Sequence, residues 1–195
     1  MPNKKCTGAA AILLAAAILF AAALCGAAYA ASLNAADSEN LKTYINTSLE
    51  RGKTDIAKLF QSEAANHFKI TVCALFCSLN IYTFGIFALY YAMHGFAFGF
   101  SAAFAAKYYS ANSAALIIGS AVISCVFTLP VYVFLFVIAL KYALNRAGTK
   151  YIMSPKEKRG AFLKFAVICT VIYTLLCIAS IFEALLNSLL SYLAA

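Results

Sequence analysis

Charge is what this sequence has least of. Among 195 residues there are 15 Lys or Arg and seven Asp or Glu, and they are bunched rather than spread. A soluble domain of this length needs a charged surface all round, so an ordinary soluble enzyme, a coiled coil and a disordered tail are excluded. Acids are scarcest, and catalytic signatures are missing with them. There is no His-Glu-x-x-His, no Gly-x-Ser-x-Gly and no glycine-rich phosphate loop, so no hydrolase or nucleotide-binding constellation assembles and no cofactor is implied. What fills the space is apolar: 64% of the chain is hydrophobic, against about 45–50% in soluble domains. The composition is that of an integral membrane protein, read as one all-α membrane domain over residues 1–195.

Residues 6–34, 70–106, 108–140 and 165–182 carry no charge at all. A spanning helix needs about 20 apolar residues. The stretch 70–106 would run about 55 Å as one helix, against a hydrocarbon core of about 30 Å. We divide it at residues 91–95, where His94 and Gly95 interrupt the apolar run. The result is five transmembrane helices, at about 8–31, 70–90, 94–109, 113–140 and 165–188. Charge sets their orientation. Residues 141–164 hold seven basic side chains (Lys141, Arg146, Lys150, Lys156, Lys158, Arg159 and Lys164) and one acid, Glu157. This basic loop is cytoplasmic by the positive-inside rule, as is an N-terminus bearing Lys4 and Lys5. Both basic ends lie inside only if an even number of spans separates them, which the division supplies. The C-terminus is then outside. The competing reading takes residues 1–31 as a secretory signal ending at Ala28-Tyr29-Ala30, although its apolar run is long for one.

The outside segment 35–68 is charge-balanced, and two apolar sets fall in it at helical spacing: Leu41, Tyr44, Ile45 and Leu49, then Ile56, Leu59 and Phe60. This spacing predicts two short amphipathic helices at the membrane surface. The formal net charge of +8 points to anionic lipid at the inner basic loop, and not to nucleic acid.

Individual positions carry further expectations. Gly95 and Gly99, with Ala103 at the same step, form a small-residue stripe that marks a helix-packing face. Pro130 is placed to kink or open the fourth span. Glu183 is the one acid within an apolar span, and an intramembrane carboxylate is a functional position by default. Counting along its helix places it near the outer interface, level with Lys107, its first candidate partner, with Lys69 second. His94 falls in the inner turn of the divided stretch, as a hydrated structural residue. Seven cysteines include Cys73 and Cys77 one turn apart. With no acid or His close on that face they read as structural rather than metal-binding.

The order of several short motifs resembles the stage II sporulation protein M family of bacterial membrane proteins. The residues concerned are Asn66-His67-Phe68, the run from Gly85 to His94-Gly95-Phe96-Ala97-Phe98-Gly99-Phe100, Leu129-Pro130, and Ser180-Ile181-Phe182-Glu183-Ala184. Val131 and Tyr132 stand where many of the wider family carry a His-Gly and a Glu. The resemblance implies a non-catalytic role in endospore formation. Members of the sporulation branch anchor peptidoglycan-degrading partners in the mother-cell membrane during engulfment. The alternative is a small transporter or permease-like subunit, with Pro130 as gate and Glu183 as its polar site.

Overall fold

The computed structural model describes residues 4–53, 56–148 and 154–193. Six helices account for nearly all of them: α1 (Lys4–Ser32), α2 (Ala35–Lys53), α3 (Ile56–Cys77), α4 (Ile81–Tyr108), α5 (Ala111–Gly148) and α6 (Pro155–Leu193). Four helical segments are long and apolar enough to cross a membrane: Gly8–Ser32, Ile81–Tyr108, Cys125–Gly148 and Pro155–Leu186. No strand occurs among the described residues.

The stretch 70–106 is divided, but not at residues 91–95. Its break falls after Cys77, and α4 runs unbroken through His94 and Gly95. The signal lies in polar side chains that satisfy helix ends. Ser78 donates to the Ala74 carbonyl at 2.5 Å, Asn80 accepts from the Tyr82 amide at 3.2 Å, and Thr83 donates to the Cys77 and Asn80 carbonyls. Asn80 is thus the N-cap of α4 and relieves one of its orphan donors. Moving the break changes two assigned spans. Residues 70–77 close a longer helix that begins at Ile56, and residues 81–108 form one helix in place of parts of two. In the segment 35–68 the first apolar set lies on a short helix as expected, while the second belongs to a longer one. α2 runs through Gly52, and the second apolar set begins α3. Ile45, Leu49, Ile56 and Leu59 lie outside the residues whose side chains are described, as do Lys4, Lys5, Cys6, Ala115 and Lys150.

One register organises the bundle. Tyr91 donates to the Ala15 carbonyl at 3.3 Å and Lys107 to the Ala31 carbonyl at 2.7 Å, each pair separated by 76 residues. Gly95 against Leu19 and Gly99 against Ala23 repeat that offset. A constant offset means that α1 and α4 run parallel, start beside start and end beside end. The glycines permit the contact. A Cβ on Gly95 would lie 2.6 Å from the Leu19 carbonyl oxygen, and one on Gly99 would fall on the Ala23 carbonyl. Gly26 of α1 answers from the other side, where a Cβ would strike the Phe96 carbonyl. Backbone on backbone is how membrane helices gain dispersion contact without a hydrophobic driving force.

The remaining helices alternate in direction. α4 meets α5 through Phe84, Phe87 and Tyr91 around Phe136, with the Tyr91 and Phe136 rings 4.6 Å apart. α5 returns along α6, from Tyr142 stacked on Phe165 at 4.2 Å to Phe127 beside Phe182. α3 lies antiparallel to α6, with Phe68 against Tyr173 and His67 against Ser180. At the start of α6, Ser154 donates to Glu157 through its backbone N–H at 2.8 Å and its hydroxyl at 2.9 Å. This capping box, with Pro155 at the first helical position, fixes where α6 begins.

Candidate functional site

Three helices bring polar side chains together inside this apolar bundle. α3 contributes His67, α5 Thr128 and Tyr132, and α6 Ser180 and Glu183. All are buried: His67 is 2% exposed, Ser180 1% and Glu183 5%. His67 uses both ring nitrogens, Nδ1 lying 2.8 Å from the Tyr132 hydroxyl and Nε2 2.7 Å from Ser180 Oγ. Ser180 in turn donates to the Leu176 carbonyl at 3.1 Å.

One arrangement of protons satisfies all of these contacts together. The Ser180 hydroxyl has one hydrogen and gives it to Leu176, so Ser180 Oγ accepts from His67 Nε2–H. The Tyr132 phenol then donates to the bare Nδ1. The imidazole is neutral with its hydrogen on Nε2, and each hydroxyl and ring nitrogen of the chain from Tyr132 to Leu176 has a partner. Complete satisfaction matters here, because an unmatched polar group in a dry bundle costs about 1–3 kcal/mol.

A second pair lies one turn toward the far end of α6. Thr128 donates to a Glu183 carboxylate oxygen at 2.8 Å. Glu63, half-buried on α3, is within electrostatic reach of Glu183. His94 closes the arrangement from α4, its ring 5.0 Å from Tyr132 and 5.4 Å from Tyr90. It stands mid-helix among aromatic rings and not in a turn, because the helix break lies fourteen residues earlier at Asn80.

The positions singled out from sequence are dispersed. Glu183 does not pair with Lys107. By the α4–α5 register, Glu183 sits near the level of residue 98 of α4, about 13 Å short of Lys107 at 1.5 Å per residue. Lys107 instead donates to the last turn of α1 and lies 4.8 Å over the Tyr108 ring. A cation on those terminal carbonyls complements the helix dipole. Lys69 is exposed on α3. Gly95 and Gly99 face α1. Pro130 is exposed on α5 between Thr128 and Tyr132, and the helix continues through it. Cys73 and Cys77 bring their sulfurs to 3.7 Å as free thiols. Among the described residues, no group of three or more His, Cys, Asp or Glu could hold a metal ion.

Sequence reasoning did not see His67 and Tyr132 as a site. His67 precedes the uncharged stretch and so reads as loop, while Tyr132 reads as one more aromatic in a span. The signal was there in part. His67, Ser180 and Glu183 all lie in the short motifs of the resemblance, and Tyr132 occupies the place of a polar group common in the wider family.

The family model described as stage II sporulation protein M matches residues 11–187. The chain belongs to the stage II sporulation protein M family. No curated protein and no solved structure matches it. This member of the family is a sporulation-related membrane protein, and the family is not a known enzyme family. The match runs from α1 to α6, so it takes in every residue of the polar network.

Proposed function

We propose that this stage II sporulation protein M family member is a non-catalytic membrane scaffold that holds peptidoglycan-degrading partners at the outer face during engulfment. The chain crosses the membrane five times on this reading, with α3 as the fifth and most polar crossing. Parallel α1 and α4 support that count, since the chain must return to the inner side between them. The observation that carries the scaffold reading is α2. It is a 19-residue polar helix at the end where α1 stops, held there by the Asn34 cap on the Asp37 amide at 2.8 Å. Asp37, Glu39 and Tyr44 are exposed on it, an outward polar surface joined to a rigid bundle.

Cysteine labelling of intact cells checks the topology: Thr47→Cys is expected to react from outside and Ser154→Cys only after permeabilisation. Labelling of both from one side overturns it. For the scaffold, Glu39→Arg with Tyr44→Ala is expected to leave membrane abundance unchanged and to reduce co-purification of wall hydrolases. The purified chain is expected to release no peptidoglycan fragments. Turnover by the isolated protein, or undiminished co-purification, overturns the reading.

The buried network favours one second reading, a proton-linked transport subunit, because His67, Glu63, Glu183 and His94 converge within the bundle. On that reading Glu183→Gln stays abundant but loses flux in proteoliposomes. On the scaffold reading the same change only weakens assembly.

A further inference from the structure

At the opposite end of the bundle from α2, the α3–α4 turn, the end of α5 and the start of α6 enclose a cleft of about 800 Å³. Arg146 and Lys158 line it, together with the amide-bearing Asn80 and Asn145. Among the described residues lining it there is no carboxylate. The nearest acid in sequence, Glu157, is turned to the Ser154 cap. Arg146 is aimed from one side, its Nη1 donating to the Tyr142 hydroxyl at 3.3 Å. Tyr142 is itself fixed flat on Phe165, with 6° between the ring planes. Lys158 lines the same cleft from the first turns of α6, half-buried.

The rest of the lining is apolar, including Leu79, Ile81, Ala143 and Ala161. Just beyond it the bundle shows bare hydrocarbon: Ile86 is 61% exposed and Leu163 61%. The cleft therefore joins exposed cationic and amide groups to a lipid-facing apolar surface. Tyr82, 87% exposed at its rim, is the kind of aromatic that settles at headgroup level. A soluble phosphate compound would use the cations and leave the apolar half idle. A phospholipid uses both.

We propose that this cleft is a binding site for the headgroup phosphate of an anionic phospholipid, held between Arg146 and Lys158 with its acyl chains on the adjoining apolar face. A guanidinium and an ammonium brought from two helices to one cleft suit a phosphate with several acceptor oxygens. A site of this kind is distinct from the diffuse attraction of a polybasic loop, which depends on charge number and not on position. Its assignment to the inner leaflet rests on the topology proposed above, but the binding itself does not.

The test is native mass spectrometry of the detergent-purified full chain with phosphatidylglycerol, cardiolipin, phosphatidylcholine or inorganic phosphate. Wild type is expected to retain the anionic lipids and release phosphatidylcholine, and millimolar inorganic phosphate is expected not to displace them. Arg146→Gln with Lys158→Gln should weaken retention by about tenfold for each charge-assisted contact removed. The control Lys156→Gln with Arg159→Gln removes the same charge outside the cleft and should retain lipid as wild type does. Equal losses in both double variants, or equal retention of phosphatidylcholine, would sink the proposal. Displacement by inorganic phosphate would also overturn it, assigning the cleft to a soluble ligand. Thermal unfolding of the wild-type chain with each lipid gives a reading independent of the variants: stabilisation by anionic lipids alone is expected, and equal stabilisation by phosphatidylcholine counts against the site.

Discussion

Gly99→Ala is expected to lower the stability of the bundle by about 3 kcal/mol, or roughly 6–12 °C of melting temperature for a chain of this size. The added Cβ falls on the Ala23 carbonyl and lies 2.6 Å from its carbon and 2.7 Å from its Cα. Those atoms are helix backbone and cannot swing aside as a side chain would. α1 and α4 must separate, and the hydrogen bonds from Tyr91 to Ala15 and from Lys107 to Ala31 stretch with them. Gly85 supplies the control, since a Cβ there meets nothing within 4 Å. Gly85→Ala should be neutral or stabilising by up to about 1 kcal/mol, through helix propensity alone. Membrane abundance and thermal unfolding in detergent report both changes. A Gly99→Ala protein that melts with wild type would show that α1 does not pack where this register puts it.

The second large effect is expected at His67. Truncation to alanine leaves the Tyr132 phenol without an acceptor and opens a void between α3, α5 and α6, a combined loss of about 3–4 kcal/mol. Tyr132→Phe alone strands His67 Nδ1 and should cost about 1–2 kcal/mol. Replacing both, as His67→Ala with Tyr132→Phe, should destabilise by less than the sum of the two single changes, since the phenol that His67→Ala strands is no longer there. Hydrogen bonds within membranes set the coupling at about 1 kcal/mol. Strict additivity in unfolding measurements would mean that the two side chains do not share a bond. Under the transport reading, Tyr132→Phe would instead keep its abundance and lose activity.

Much of the architecture was legible in composition. Uncharged stretches and the basic segment at 141–164 give a helical membrane protein, and their physics is local: twenty apolar residues suffice whatever surrounds them. The break in 70–106 is misplaced because His94 and Gly95 read as an interruption, although the same Gly95 with Gly99 reads as a helix-packing face. In a soluble helix glycine loosens the backbone, whereas here it is the point at which two backbones touch. The capping triplet Ser78, Asn80 and Thr83 was the better signal. The polar network was hidden for a different reason. His67 lies 65 residues from Tyr132 and 113 from Ser180, so their meeting depends on the rotational register of three helices. Glu183 was conspicuous on its own, but its neighbour Thr128 was one hydroxyl among many.

The offset of 76 residues between α1 and α4 also has a meaning in time. At about 5–20 residues per second of synthesis, α1 waits some 4–15 s in the bilayer before its partner leaves the ribosome. An alanine-rich helix whose long apolar run carries no charge can wait in lipid without harm. α3 cannot do the same. Its His67 finds Tyr132 only after α5 is made, and Ser180 only near the end of translation. On the proposed five-crossing topology α3 must still cross before α4 can enter parallel to α1, so it is held with His67 unmatched until α5 and α6 arrive and lock it in place.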